Sequence, residues 1–118
     1  MILNTTTFLQ VTMAGSASAS QPEVHVDFID YTPDGKTAPP ATIRTALSNA
    51  TDVTVLASPV NAQAREIIHI AVYNKDTASQ TITVKTDNGT TEFIEAKQVV
   101  PTLRTLARGK RAGWYLSQ

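Results

Sequence analysis

Arg65-Glu66-Ile67-Ile68-His69-Ile70-Ala71-Val72-Tyr73 decides the fold of this chain. Its isoleucines and valine branch at Cβ, which stiffens the side chain and suits a pleated strand better than a helix. Ile68, Ile70 and Val72 alternate onto one face, and Ile67, Ala71 and Tyr73 leave the other largely apolar. A central strand covered on both faces is therefore expected. Asn74-Lys75-Asp76 ends it with turn formers. Downstream, Thr81-Ile82-Thr83-Val84-Lys85 alternates cleanly, Asp87-Asn88-Gly89-Thr90 carries hairpin chemistry, and Glu92-Phe93-Ile94-Glu95-Ala96 returns as the partner strand.

Working outward, Leu9, Val11 and Met13 alternate with polar residues and predict a first strand near 5–14. Gly15-Ser16-Ala17-Ser18-Ala19-Ser20 reads as a flexible loop. Val24, Val26 and Phe28 predict a second strand, closed by the turn Tyr31-Thr32-Pro33-Asp34-Gly35. Pro39-Pro40, followed by Ile43 and Leu47 four residues apart, permits a short helix over 41–49. Val53 and Val55 form a third short strand that stops at Pro59. Past Val99, Val100 and Pro101 comes a basic stretch, and Gly113-Trp114-Tyr115-Leu116 supplies a last strand. The sum is an all-β fold: an antiparallel β-sandwich or jelly-roll-like barrel of seven to eight strands with at most one short helix.

The chain has 118 residues, the size of one domain, with residues 1–21 expected as a partly extended amino-terminal arm and loop. Hydrophobic residues are 42% and aromatics 6%, so the core must be aliphatic. Eighteen threonines favour pleated surface over helix. The formal net charge is zero, which gives no overall field to gather nucleic acid or an anionic membrane. Residues 1–60 hold two bases against five acids, a balance of −3, and residues 61–118 hold eight against five, a balance of +3. The halves are complementary, either within one domain or between neighbouring subunits. Cysteine is absent, so packing or assembly must hold the fold together. The amino terminus lacks the pattern of a secretion signal, and no 18-residue apolar run occurs.

Candidates for chemistry are few. His25 and His69 are the two histidines, and a zinc or acid–base role would need their strands adjacent with Asp27 or Glu23 converging. Glu23, Asp27 and Asp30 match no calcium loop and read as a solvated strand face. No nucleophile elbow, phosphate-cradling loop or dinucleotide fingerprint is present. No enzymatic activity, cofactor or metal is therefore expected. Arg104, Arg108, Lys110 and Arg111 place four positive charges in eight residues beside Trp114. Such a run could meet phosphates, an acidic protein neighbour or plain solvent; a protein interface is favoured over nucleic acid.

From Arg65 through Ile68, Ile70 and Val72 to Asn74 and Asp76, and on through Thr81 to Lys85, the chain resembles small virion proteins of tailed bacteriophages. Leu56-Ala57-Ser58-Pro59 and Val24-x-Val26-x-Phe28-x-Asp30 are also similar, so the resemblance spans residues 22–96. Leu106-Ala107-Arg108-Gly109 fits the Leu-x-x-Gly that leads such proteins into a last aromatic strand, whereas Lys110 and Arg111 depart from it. The resemblance implies a non-enzymatic structural protein of head, neck or tail, assembled in the host cytoplasm. Its partners would be itself, as an oligomer with a trimer favoured, and the major capsid protein or connector and tail proteins. A carbohydrate- or host-surface-binding sandwich is the alternative, although such modules usually expose more aromatics than this chain has.

Overall fold

The computed structural model describes residues 1–60, 63–110 and 113–117. Among them are ten strands and no helix. They are β1 (Ile2–Leu3), β2 (Phe8–Met13), β3 (Glu23–Tyr31), β4 (Ala41–Ala46), β5 (Val53–Leu56), β6 (Ala64–Tyr73), β7 (Gln80–Asp87), β8 (Glu92–Val100), β9 (Thr105–Gly109) and β10 (Tyr115–Ser117). All pairings are antiparallel. One sheet runs β10-β9-β6-β3-β4, with β1 also on β6, and the other runs β5-β2-β7-β8. The β-sandwich expected from the alternating pattern is the fold, with ten strands in place of seven or eight.

Alternation explains the core directly. Leu9, Val11 and Met13 of β2 and Ile82 and Val84 of β7 point inward from one sheet. They meet Val24, Val26 and Phe28 of β3, Ile70 and Val72 of β6, and Leu106 of β9 from the other. Phe28 is the one buried aromatic among the described residues, so the interior is aliphatic as the composition requires.

The deciding stretch is central, between β3 and β9, but it is covered on one face only. A β-bulge corrects the expected inward set. Asp27 stands opposite His69 and Phe28 opposite Ile67, which leaves Ile68 as the extra residue. Ile67 is buried and Ile68 is only half-buried, so the core face of β6 reads Ile67, Ile70, Val72. An unbroken two-residue period would have placed Ile68 there instead.

Residues 41–46 form a strand where a short helix was permitted. Val26 pairs with Ile43 and His25 with Arg44, so β4 satisfies its backbone on the free edge of β3. Thr42, Ile43 and Thr45 are β-branched, and that preference with the available edge outweighs the proline signal. The first strand is shorter than expected, because Asn4 Oδ1 accepts bonds from Thr6 and Thr7 in a turn just before it. The amino-terminal arm joins the first sheet: Leu3 is fully buried and the Ile67 amide donates to the Met1 carbonyl at 2.8 Å.

The Ser-Ala segment is tethered rather than a free loop. The amides of Ser18, Ala19 and Ser20 donate to the Asp76 carboxylate at 2.9, 2.7 and 3.2 Å. Gln80 Nε2 adds a fourth bond at 2.6 Å, and the Asp76 side chain also takes the Thr77 amide. Asn74, fully buried, donates through Nδ2 to the carbonyls of Ala78 and Val100 and accepts the Asp76 amide. The Asn-x-Asp that looked like turn punctuation is thus a buried polar hub, joining the 14–22 loop to the ends of β6 and β8. Ion pairs also link the two oppositely charged halves: Asp30 with Arg65, Glu23 with Lys75, and Asp52 with Lys85.

Ile70→Ala should lower unfolding free energy by about 2–5 kcal/mol, while Ile68→Ala should lower it by about 1 kcal/mol; equal losses in urea unfolding would contradict the bulge. Hydrogen bonds from Ser18, with those of Ala19, Gln80 and Ser20, hold the Asp76 carboxyl far below the usual carboxylate range against the opposing effect of burial. A carboxylate whose pKa is depressed by folding stabilises above its unfolded pKa of about 4 and loses that contribution as pH falls below it. Asp76→Asn should therefore lower the thermal midpoint at pH 7, and the gap to the unmutated chain should narrow steadily between about pH 5 and pH 2. A gap independent of pH would show that the carboxylate is not the stabilising species.

Candidate functional site

The groups that could carry chemistry lie on open surface and are already engaged. β3 and β6 are neighbours, and Asp27 sits directly across from His69 with His25 two residues along on the same outer face. That adjacency is the first condition for a metal or acid–base site. The second is not met: among the described residues no three His, Cys, Asp or Glu side chains gather closely enough to hold a metal ion. Asp27 accepts from the Thr42 hydroxyl on the neighbouring strand. Glu23 pairs with Lys75 at 2.6 Å and lies 3.8 Å from His25, so its carboxyl is held below the usual range, by Lys75 above all. Asp30 takes two bonds from Arg65, at 2.7 and 3.1 Å, and the guanidinium lies 4.6 Å from the centre of the Phe28 ring.

The basic stretch is not one patch. Strand β9 separates its members, so Arg104 and Lys110 stand roughly 20 Å apart at an extended rise of ~3.3 Å per residue. Arg104 is half-buried at the start of β9, where its carbonyl accepts the Asn74 amide at 2.9 Å. Arg108 lies over the Trp114 ring at 6.0 Å. Lys110 pairs with Glu66 at 3.3 Å, and Glu66 also accepts the Tyr31 hydroxyl at 2.7 Å. Tyr31, more than Lys110, holds the Glu66 carboxyl below its ordinary range. Arg111 falls outside the described residues. The fold thus sets Arg104 apart from Lys110 and gives Arg108 and Lys110 each a partner.

What the fold does bring together is one side of the sandwich. There β8, the edge of one sheet, faces β10, the edge of the other. Between them opens a cleft of about 440 Å³, lined by Ala96 and Gln98 of β8, Leu106 of β9, and Trp114, Tyr115 and Leu116. Trp114 is half-buried against the core here, so of the expected interface residues that are described it is the one lining this apolar cleft. Along β8, Phe93 is 55% exposed, Ile94 65% and Val99 52%, and Tyr115 across the cleft is 47% exposed. Apart from Ala96 and Val100, every β8 residue is exposed.

Alternation alone gives β8 as an ordinary return strand and does not mark Phe93 and Ile94 as exposed. The signal was present in their adjacency. Two large apolar residues side by side must point to opposite faces of a strand, and a strand covered on one face can bury only one of them. A bulge at Glu95 accompanies the break in alternation, because Val84 pairs with Ala96 and Lys85 with Ile94.

No family model, curated protein or solved structure matches the chain.

Trp114 is the single tryptophan of the chain, so its fluorescence reports on this cleft alone. Arg108→Ala should change the Trp114 emission while lowering stability by no more than about 1 kcal/mol, the range of an exposed cation–π contact. An unchanged spectrum would mean that the guanidinium does not sit over the ring in solution.

Proposed function

We propose that this chain is a non-enzymatic structural subunit of a tailed-bacteriophage particle, held in its assembly by the β8–β10 side. The observation that carries the reading is that the edge strand β8 leaves Phe93 exposed on its core-facing side beside an apolar cleft, and Ile94 and Val99 exposed on its outer face. Edge strands present unsatisfied N–H and C=O groups, and proteins that remain solitary usually guard them. Large apolar side chains left exposed at such an edge fit a place where protein meets protein. The particle as setting comes from the likeness of residues 22–96 to small virion proteins.

Function on this account is mass action. A subunit that binds only the assembled lattice stabilises it by the free energy of that binding, so no chemical step is needed. A tethered 14–22 loop and a pinned amino-terminal arm make the subunit rigid, which limits the entropy lost on docking.

A carbohydrate-binding module is the second reading. Trp114 and Tyr115 at a cleft rimmed by Glu95, Lys97 and Gln98 favour it, because a sugar ring stacks on an aromatic and bonds to flanking polar groups.

Heads and tails assembled without the protein should co-sediment with the purified chain. Phe93→Asp should abolish that binding while changing stability by less than about 0.5 kcal/mol, as expected for an exposed position. Glycan-array binding that Phe93→Asp leaves intact and Trp114→Ala removes, without co-sedimentation, would establish the second reading instead.

A further inference from the structure

The spacing of charge along β8 points to a specific occupant for its free edge. Counted along the ladder with β7, Glu92, Ile94 and Lys97 stand opposite Asp87, Lys85 and Thr83, evenly spaced despite the bulge. All three face away from the core, since Lys85 flanks Gln10 while the intervening Thr86 and Val84 flank the buried Leu9 and Val11. The outer row of β8 is thus acid, isoleucine, base. Read backwards it is base, isoleucine, acid, and an antiparallel partner with the same sequence presents that order.

We infer that the free edge of β8 pairs with the β8 edge of a second copy of this chain, antiparallel and two-fold symmetric about Ile94. In this register Glu92 lies opposite Lys97 of the second copy, and Lys97 opposite its Glu92, flanking an Ile94–Ile94 contact on the axis. Lys97 makes no ion pair with any described residue. Glu92 holds Lys85 through Oε2 at 3.1 Å, which leaves its other oxygen for the second copy. Lys85 itself rests between Asp52 and Glu92 and keeps its charge, its pKa raised chiefly by Asp52. Opposite charges directly across an antiparallel pair stabilise it, whereas like charges oppose it.

The inner face fits the same register. Phe93 and Ala96 occupy neighbouring ladder positions on either side of Ile94, both on the core-facing side. Pairing about Ile94 places Phe93 of each copy opposite Ala96 of the other. Ala96 lines the cleft beside Leu106, Trp114 and Leu116, so the exposed phenyl ring stands at the mouth of the second copy's cleft. Two four-stranded sheets become one of eight strands, and both unpaired β8 edges disappear. The interface is isologous, each copy giving and receiving the same contacts. It replaces the trimer implied by the resemblance with a two-fold unit, and it deepens the reading of the β8–β10 side as a docking surface, on which it rests.

The absence of cysteine gives a direct test. Antiparallel partners on a two-fold axis have Cα atoms about 4.5–5.5 Å apart, within disulfide range. Under mild oxidation Ile94→Cys should convert most of the protein to a covalent dimer, while Ile43→Cys, on the opposite edge strand β4, should stay uncrosslinked. Lys97→Glu alone should weaken association roughly ten-fold by sedimentation. Mixing Lys97→Glu with Glu92→Lys should restore it, because each mixed pair carries both opposite-charge contacts. Crosslinking of Ile43→Cys as readily as Ile94→Cys would overturn the proposal, as would a monomer at every concentration. A monomer that still binds heads or tails, and loses that binding with Phe93→Asp, would sink the self-pairing while sparing the docking reading. Lys97 and the Glu95 bulge would then be guards against strand pairing.

Discussion

The contact between the inward faces of β3–β6 and β2–β7 is what the rest of this structure depends on. An isolated antiparallel sheet with one apolar face leaves that face in water, and neither sheet here can stand without the other. With few aromatics available, Leu9, Val11, Met13, Ile70, Val72, Ile82 and Val84 must fill the interior by close aliphatic packing. Everything functional is then a matter of what this packing leaves uncovered. It covers β2, β3, β6 and β7 well and runs out at β8, where Phe93 and Ile94 remain exposed. Phe93, on the core-facing side, is thus apolar surface that the core of a single copy does not reach, and Ile94 stands on the outer face.

Polar groups complete the sandwich where aliphatic packing ends. Asp76 and Asn74 are buried at the joint between β6, β7 and the 14–22 loop, and each gathers backbone groups that no sheet ladder could satisfy. A buried carboxylate is tolerable only with such a set of donors, and with it the loop becomes a fixed part of the fold. Arg65 with Asp30 works similarly at the far end of β6, where the guanidinium also covers Phe28. The result is a sandwich tied at both ends of β6, with the β8–β10 cleft open along one side.

Much of this was legible in the amino-acid sequence. Strands β2, β3, β5, β6 and β7 follow from alternation, and the β7–β8 hairpin from Asn88-Gly89, where Gly89 takes φ of 89°. The bulge at Ile68 was not legible, because a local period of two says nothing of an extra residue imposed by the partner strand. Strand β4 was misread because proline and spacing signals are local, while the edge of β3 that captured it is not. The hub at Asp76 was hidden for the same reason: its partners lie 56–58 residues away. At the candidate site, the place of Trp114 against the core was legible from its position in an apolar last strand. The spacing of Arg104 from Lys110 along β9 and the pairing of Lys110 with Glu66 were not legible, because both depend on neighbouring strands.

Amide hydrogen exchange resolved by residue, followed from dilute to concentrated protein, tests the central claim that the aliphatic core ends at β8 and leaves that edge for a partner. Amides in β2, β3, β6 and β7 should exchange only with global unfolding at every concentration. Those β8 amides that point away from β7 should exchange quickly when dilute and slow as the protein is concentrated. Fast exchange within β6, or β8 outward amides that are already slow in dilute monomer, would contradict it.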